Sequence, residues 1–275
     1  MIQDTFFSMP RFVNLCRKDM VENWKSNVLR IVMLYGIMVV VMILNGCSEY
    51  SGSSVKTERD PTWIFLLLAF VWSLWGFGCL SASFTMEKMK SKTSRLSTLM
   101  IPATPFEKYI SRWLICTIVF LVVFLLTFKL ADYTRVLIFS LAYPDFKFIA
   151  PVDFSYLVGK GDYYTVFREP RDFQAMLTGY CFLQSCFVLG SSIWPKNSFL
   201  KTFAAGVVIV IIYAMVSTLL AKMMIPDNIH SPFTGDEISE ELIYGILIGV
   251  GIIFTLFNWV LAYFRFKESE IINRL

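Results

Sequence analysis

Residues 63–84 read "WIFLLLAFVWSLWGFGCLSASF", a run of 22 residues without one charge. As a helix this run rises roughly 33 Å, enough to cross the ~30 Å of hydrocarbon in a bilayer. The whole chain is in keeping with it. Of 275 residues 56% are hydrophobic and 16% aromatic, and the mean hydropathy is +0.60, more apolar side chain than a soluble core of this size buries. The expectation is an all-α membrane protein.

Five further runs repeat the pattern. The first span covers about 27–45 and contains "VMLYGIMVVVMIL", and the second is the quoted run, 63–84. The third, 113–128, is "WLICTIVFLVVFLLTF". The fourth and fifth, 173–194 and 202–221, are separated only by "PKNSFLK", which predicts a tight turn on one side of the membrane. The sixth covers 242–264. The remainder divides into an amphipathic N-terminal segment 1–26, a loop 86–112, a segment 129–172 and a tail 265–275.

Lys and Arg set the orientation, because they accumulate on the cytoplasmic side. With the N-terminus inside, 16 of the 25 basic and 7 of the 21 acidic residues lie inside, leaving 9 basic and 14 acidic outside. Both termini are therefore expected in the cytoplasm, and the net charge of +4 reports membrane orientation rather than nucleic-acid binding. The first 25 residues are polar and amphipathic, which does not match a cleavable secretion signal. Among six cysteines only Cys47 reaches the outer face, and no CxxC or Cys/His spacing suggests metal.

Ion-coupled carriers use ionisable ligands within the membrane. Spans two to six, with these boundaries, contain no Asp, Glu, Lys, Arg or His, and Arg30 in span one lies one turn from the inner surface, where it snorkels. Ion-driven transport is disfavoured. A single histidine, His230, excludes HExxH zinc chemistry, and the acidic stretch around it reads as a solvated loop. No GxSxG elbow occurs, and "VGKGDYYT" at 158–165 lacks the spacing of a phosphate loop. The chain is not expected to be an enzyme, nor to bind a catalytic residue set, cofactor or metal of its own.

The loop "SKTSRLSTLMIPATPFEKYISRW", 91–113, is more elaborate than charge placement requires. Ser94 or Thr93 is the expected N-cap of a short helix over 94–99. Thr104 as N-cap, Pro105 at the first helical position and Glu107 three residues after Thr104 predict a capping box that opens the helix into span three. Lysines alone suit lipid headgroups. The apolar set Leu96, Leu99, Met100 and Ile101 within a basic loop points instead to a protein partner or to burial beneath the bundle.

"TSRLSTLMIPATPFEKYISRWL" resembles the inner loop of compact Bacteroidetes permeases of the ABC transporter type-two, exporter-like class, where L-x-L-P-A-S/T-x-x-E-K-x-x-x-R-W/L recurs. "CFLQSCFVLGSSIWPKNSFLKT", 181–202, resembles the end of span four and the following turn of those proteins. Residues 129–172 depart from the pattern, since the longer outer excursion of that class follows span five. The resemblance implies a coupling elbow at Ser94, Arg95, Leu96 and Ser97, with Pro102, Thr104, Pro105, Glu107 and Lys108 carrying its displacement into span three. It also implies a separate cytoplasmic ABC ATPase that binds ATP and Mg, a homodimer, and a bacterial inner-membrane location.

The segment 8–27 places Phe12, Leu15, Cys16, Met20 and Trp24 on one stripe, opposite Arg17, Lys18 and Glu22. It is expected to lie in the inner interface, as a lipid anchor or, by the resemblance, also against the ATPase. Aromatic-rich 129–172 is read as one or two interfacial helices, forming either a membrane-lying cap or a gate. Gly245 and Gly249 in span six have GxxxG spacing, which permits close helix approach within the bundle or to a second protomer. The resulting expectation is the transmembrane permease subunit of an ATP-driven exporter. Its rival is a non-transporting immunity, sensor or assembly protein that uses the same loop to dock a soluble partner.

Overall fold

Apolar runs of this length have no way to satisfy their backbone in hydrocarbon except as helices, and helices are what form. The computed structural model describes residues 7–52, 60–159, 165–224 and 240–271, so His230 and its acidic loop lie outside the described residues. In chain order the helices are α1 (Met9–Glu22), α2 (Trp24–Gly52), α3 (Trp63–Ser83), α4 (Lys92–Leu99), α5 (Pro105–Leu114), α6 (Phe120–Ala142), α7 (Pro170–Ile193), α8 (Ser198–Met224) and α9 (Glu240–Ile271). A π-helical turn, Ile115–Val119, joins α5 to α6, and 3-10 turns occupy Glu87–Met89 and Phe154–Leu157. Six helical stretches are long and apolar enough to cross a membrane, which makes this an integral multi-pass membrane protein. No strand occurs among the described residues, only an isolated bridge between Val158 and Phe167.

Several boundaries differ from the sequence reading. The helix of span three covers Pro105–Ala142, so the first part of 129–172, where one or two interfacial helices were expected, is continuous with that helix. Lys129, Asp132 and Arg135 ended the apolar run in the sequence, but their i, i+3, i+6 spacing keeps them on one helix face. The N-terminal segment breaks at Asn23, whose side-chain amide donates to the Asp19 carbonyl at 3.0 Å. Trp24 therefore begins α2 instead of extending the α1 stripe, and it is 56% exposed. The short helix after span two is capped by Ser91, neither Thr93 nor Ser94, because the Ser91 hydroxyl accepts the Ser94 N–H at 3.2 Å.

The chain divides into two compact units, one made of Met1–Ser81 and Ile101–Met176, the other of Ala82–Met100 and Leu177–Leu275. In the first, α2 packs along α6, where Gly46 leaves room for the buried Phe139 ring. Phe70 of α3 lies against Phe124 and Phe128 of α6 at centroid distances of 5.6 and 5.0 Å, and Phe154 closes the group at 5.1 Å from Phe70. At the π turn Ser81 Oγ of α3 donates to the Cys116 carbonyl at 2.8 Å.

In the second unit α7 and α9 meet through a polar contact, Asn258 Nδ2 donating to Ser185 Oγ at 3.0 Å. They also meet through an aromatic pair, Phe182 with Phe254 at 6.5 Å. The closest small-residue approach there is Gly251 against Thr178. Around Gly245 and Gly249 a Cβ would meet nothing within 4 Å, so the GxxxG pair is not the packing seam of the bundle among the described residues. Phe187 stacks on Phe199 across the turn from α7 to α8, where Asn197 takes the left-handed backbone (φ 56°) that a short-side-chain Asn tolerates.

Candidate functional site

The predicted capping box forms. Thr104 Oγ1 accepts the Glu107 N–H at 3.3 Å, Glu107 Oε2 accepts the Thr104 N–H at 3.1 Å, and Pro105 opens α5. The Glu107 carboxylate does more than cap its own helix. It also accepts the Ser8 N–H at 2.8 Å and a bidentate pair from Arg11, Nε at 2.7 Å and Nη2 at 2.8 Å. One fully buried carboxylate thereby ties the start of α1 to the start of α5. A fork-to-fork guanidinium pair of this kind fixes orientation as well as distance.

Further along the same seam Cys16 Sγ lies 3.3 Å from Ser111 Oγ, Phe7 sits edge-on to Phe106 at 6.4 Å, and Arg112 Nε stands 4.0 Å from Asp19 Oδ2. Leu15 is buried and Phe12 half-buried on this side, whereas Arg17 and Lys18 are exposed, Lys18 pairing with Glu22 at 3.5 Å. Met20, expected on the packed stripe, is exposed. The buried face of α1 is thus rotated toward Arg11, Leu15 and Asp19, leaving Met9, Val13 and Met20 as a second, exposed apolar row.

The coupling residues proposed from the sequence sort into two kinds. Leu96 (61%) and Met100 (82%) are the most open apolar side chains of the loop, with Ser97 and Pro102 exposed beside them. Ser94, Arg95, Thr104 and Pro105 are half-buried. Glu107 and Lys108 are buried, so they act within the chain and are not on the contact surface. Arg95 is held by a hydrogen bond from Nη2 to the Met89 carbonyl at 3.2 Å. α4 belongs to the second unit and α5 to the first, so the connection at 100–101 is also the boundary between units.

A charged cluster that the sequence reading missed lies in the first unit, at the end of α6 away from α5. Arg135 is 0% exposed, and its guanidinium donates in every direction. Nε reaches Asp132 Oδ1 at 3.0 Å, and Nη1 reaches Asp60 Oδ2 at 3.0 Å, Tyr50 Oη at 2.6 Å and Thr62 Oγ1 at 3.1 Å. Nη2 reaches the Ala150 carbonyl at 2.8 Å and Asp132 Oδ1 at 2.9 Å. Asp60 in turn accepts from Tyr50 Oη at 2.8 Å and from the Thr62 hydroxyl at 2.6 Å, while Asp132 Oδ2 accepts the Val152 N–H at 2.7 Å.

The neighbouring Lys129 donates to the Val152 carbonyl at 2.6 Å and sits 4.3 Å over the Phe154 ring. Trp63 Nε1 donates to the Ala150 carbonyl at 3.3 Å. Residues 150–154 are thus held as a cap over the ends of α3 and α6. At the cap's surface Asp153 Oδ1 accepts the Ser155 N–H at 2.9 Å, and this bond holds the Asp153 carboxyl below its ordinary pKa. The visible sequence signal was the spacing of Lys129, Asp132 and Arg135. Nothing local marked Tyr50 or Asp60 as their partners.

This cluster changes one inference. The stretch 113–128 is free of charge, but the helix it belongs to carries a fully buried Asp132–Arg135 pair at its far end. Their guanidinium and carboxylates are saturated by mutual bonds, which is the pattern of a structural clasp. A carrier site must exchange its ion with water.

No family model, curated protein or solved structure matches the chain.

Proposed function

We propose that this chain is the transmembrane permease subunit of an ATP-driven exporter of the ABC type-two class, and that its 86–112 loop docks a separate cytoplasmic ATPase. One observation carries the reading: Leu96 and Met100 stand open in a basic loop while Thr98 between them is buried. Large apolar side chains held out in a charged segment fit a protein groove better than headgroups. The Glu107 clasp adds a route for force, since it ties α1 to α5 and α5 continues through the π turn into α6. In this reading the energy comes from ATP and Mg bound by the partner, and the chain supplies passage and coupling.

The homodimer and the bacterial inner-membrane location rest on the resemblance. Gly245 and Gly249, with no neighbour at a Cβ position among the described residues, are where a second copy would approach. The proposal is tested by capturing the full-length chain from membranes that co-express candidate ATPases and measuring hydrolysis in the captured complex. Nucleotide turnover that drops severalfold in Leu96→Asp supports it. A stable soluble partner that hydrolyses no nucleotide overturns it in favour of a sensor or assembly role.

A further inference from the structure

A shallow cleft lies within the second unit and is walled by Met86, Met89, Arg95, Ser192, Pro195, Phe266 and Ser269. Three helix ends meet there: the last turns of α3 with the 3-10 turn and α4, the end of α7, and the end of α9. Its wall is divided by chemistry. Met86, Met89, Pro195 and Phe266 present apolar surface, and Arg95, Ser192 and Ser269 present one guanidinium and two hydroxyls.

The segments that form the wall are strongly cationic. Residues 86–95, 192–196 and 265–269 carry Lys88, Lys90, Lys92, Arg95, Lys196, Arg265 and Lys267 against only Glu87 and Glu268. Glu268 is itself paired with Arg265 at 3.1 Å. An anion is the ligand such a field attracts. Arg95 is the positioned group: its hydrogen bond to the Met89 carbonyl orients a planar guanidinium suited to two oxygens of a phosphate. The Ser192 and Ser269 hydroxyls now donate to Leu189 and Phe266 carbonyls at 2.7 and 2.6 Å, and a χ1 swing redirects either toward an anionic oxygen.

We propose that this cleft binds a phosphate group, with Arg95 as its principal ligand, and that the group belongs to an anionic phospholipid headgroup. The lipid source follows from position and wall: the cleft opens where three apolar helices end, and its apolar half suits the glycerol and first methylenes of a lipid. The inference goes beyond the exporter reading and does not depend on it, because neither the ATPase nor the cargo enters the argument.

The test is a titration of the detergent-purified full-length chain with fluorescent phosphatidylglycerol, with phosphatidylcholine of the same acyl chains as the neutral control. Inorganic phosphate serves as competitor. Phosphatidylglycerol should bind about tenfold or more tightly than phosphatidylcholine, and Arg95→Gln should remove most of that preference, while Arg95→Lys keeps part of it. Ser269→Glu, which puts a like charge in the cleft without touching Arg95, should weaken binding similarly and decides the matter should Arg95→Gln misfold. Competition by millimolar inorganic phosphate would support the phosphate chemistry and assign a free anion as an alternative source. Equal affinity for the two lipids, or a preference unchanged in both folded variants, would overturn the proposal.

Discussion

Replacing Arg135 by Met removes the one cation from between two fully buried carboxylates. In the native chain Asp60 and Asp132 stand 3.0 and 2.9 Å from the guanidinium, and neither has solvent to fall back on. Breaking a buried pair by deleting one partner typically costs about 3–5 kcal/mol, mainly through the charge left behind. The loss here belongs in the upper half of that range, because both carboxylates lose their only cation together, although each keeps its neutral donors. The triple variant Asp60→Asn, Asp132→Asn, Arg135→Met carries no stranded charge and should recover about half of the loss.

The assay is reversible unfolding of the full-length chain in mixed micelles, paired with amide hydrogen exchange across 146–157. Arg135→Met should release the Val152 amide, which is held by Asp132, before α2 and α6 separate. A loss below about 1 kcal/mol, or a triple variant no more stable than the single one, would refute the view of Arg135 as a clasp.

Glu107→Ala should destabilise by about 1–2 kcal/mol, since it removes the N3 half of the capping box and a partly screened pair with Arg11. It should also raise protease access to α1, measured by limited digestion, whereas Glu107→Asp should fall in between. Gly46→Ala should cost about 1–3 kcal/mol by thermal unfolding, because its Cβ would overlap the Phe139 ring, itself pinned by Tyr50 at 4.7 Å. Gly245→Ala should leave the stability of the isolated chain within about 0.5 kcal/mol; any dimer-dependent loss would appear only as dilution-sensitive melting. Met100→Asp should leave melting unchanged to a similar extent and yet abolish capture of the soluble partner.

What could be read in advance was whatever depends on near neighbours in the chain. A hydrocarbon solvent demands uninterrupted apolar runs, so six spans are visible without any tertiary information. The capping box at Thr104 and Glu107 is equally local, three residues wide, and it forms as spaced. The helix of span three runs on to Ala142 past the end of the apolar run, because Lys129, Asp132 and Arg135 find partners from one helix face in the 150–154 cap and in Asp60.

Partners 75 and 85 residues away, Asp60 and Tyr50, leave no periodic trace. Arg11 was missed for the same reason, being 96 residues from the carboxylate it grips. The GxxxG pair is conspicuous, yet among the described residues the helical glycines closely approached by another helix's side chain are Gly46, Gly190 and Gly251, which no motif marks.

The docking claim is tested most directly by placing a photo-crosslinking amino acid at position 96 of the full-length chain in living cells and identifying what it captures. One dominant soluble product is expected, a nucleotide-binding ATPase, whose yield falls when Met100 is changed to Asp. Capture of lipid alone, or of a soluble protein without a nucleotide site, would contradict it.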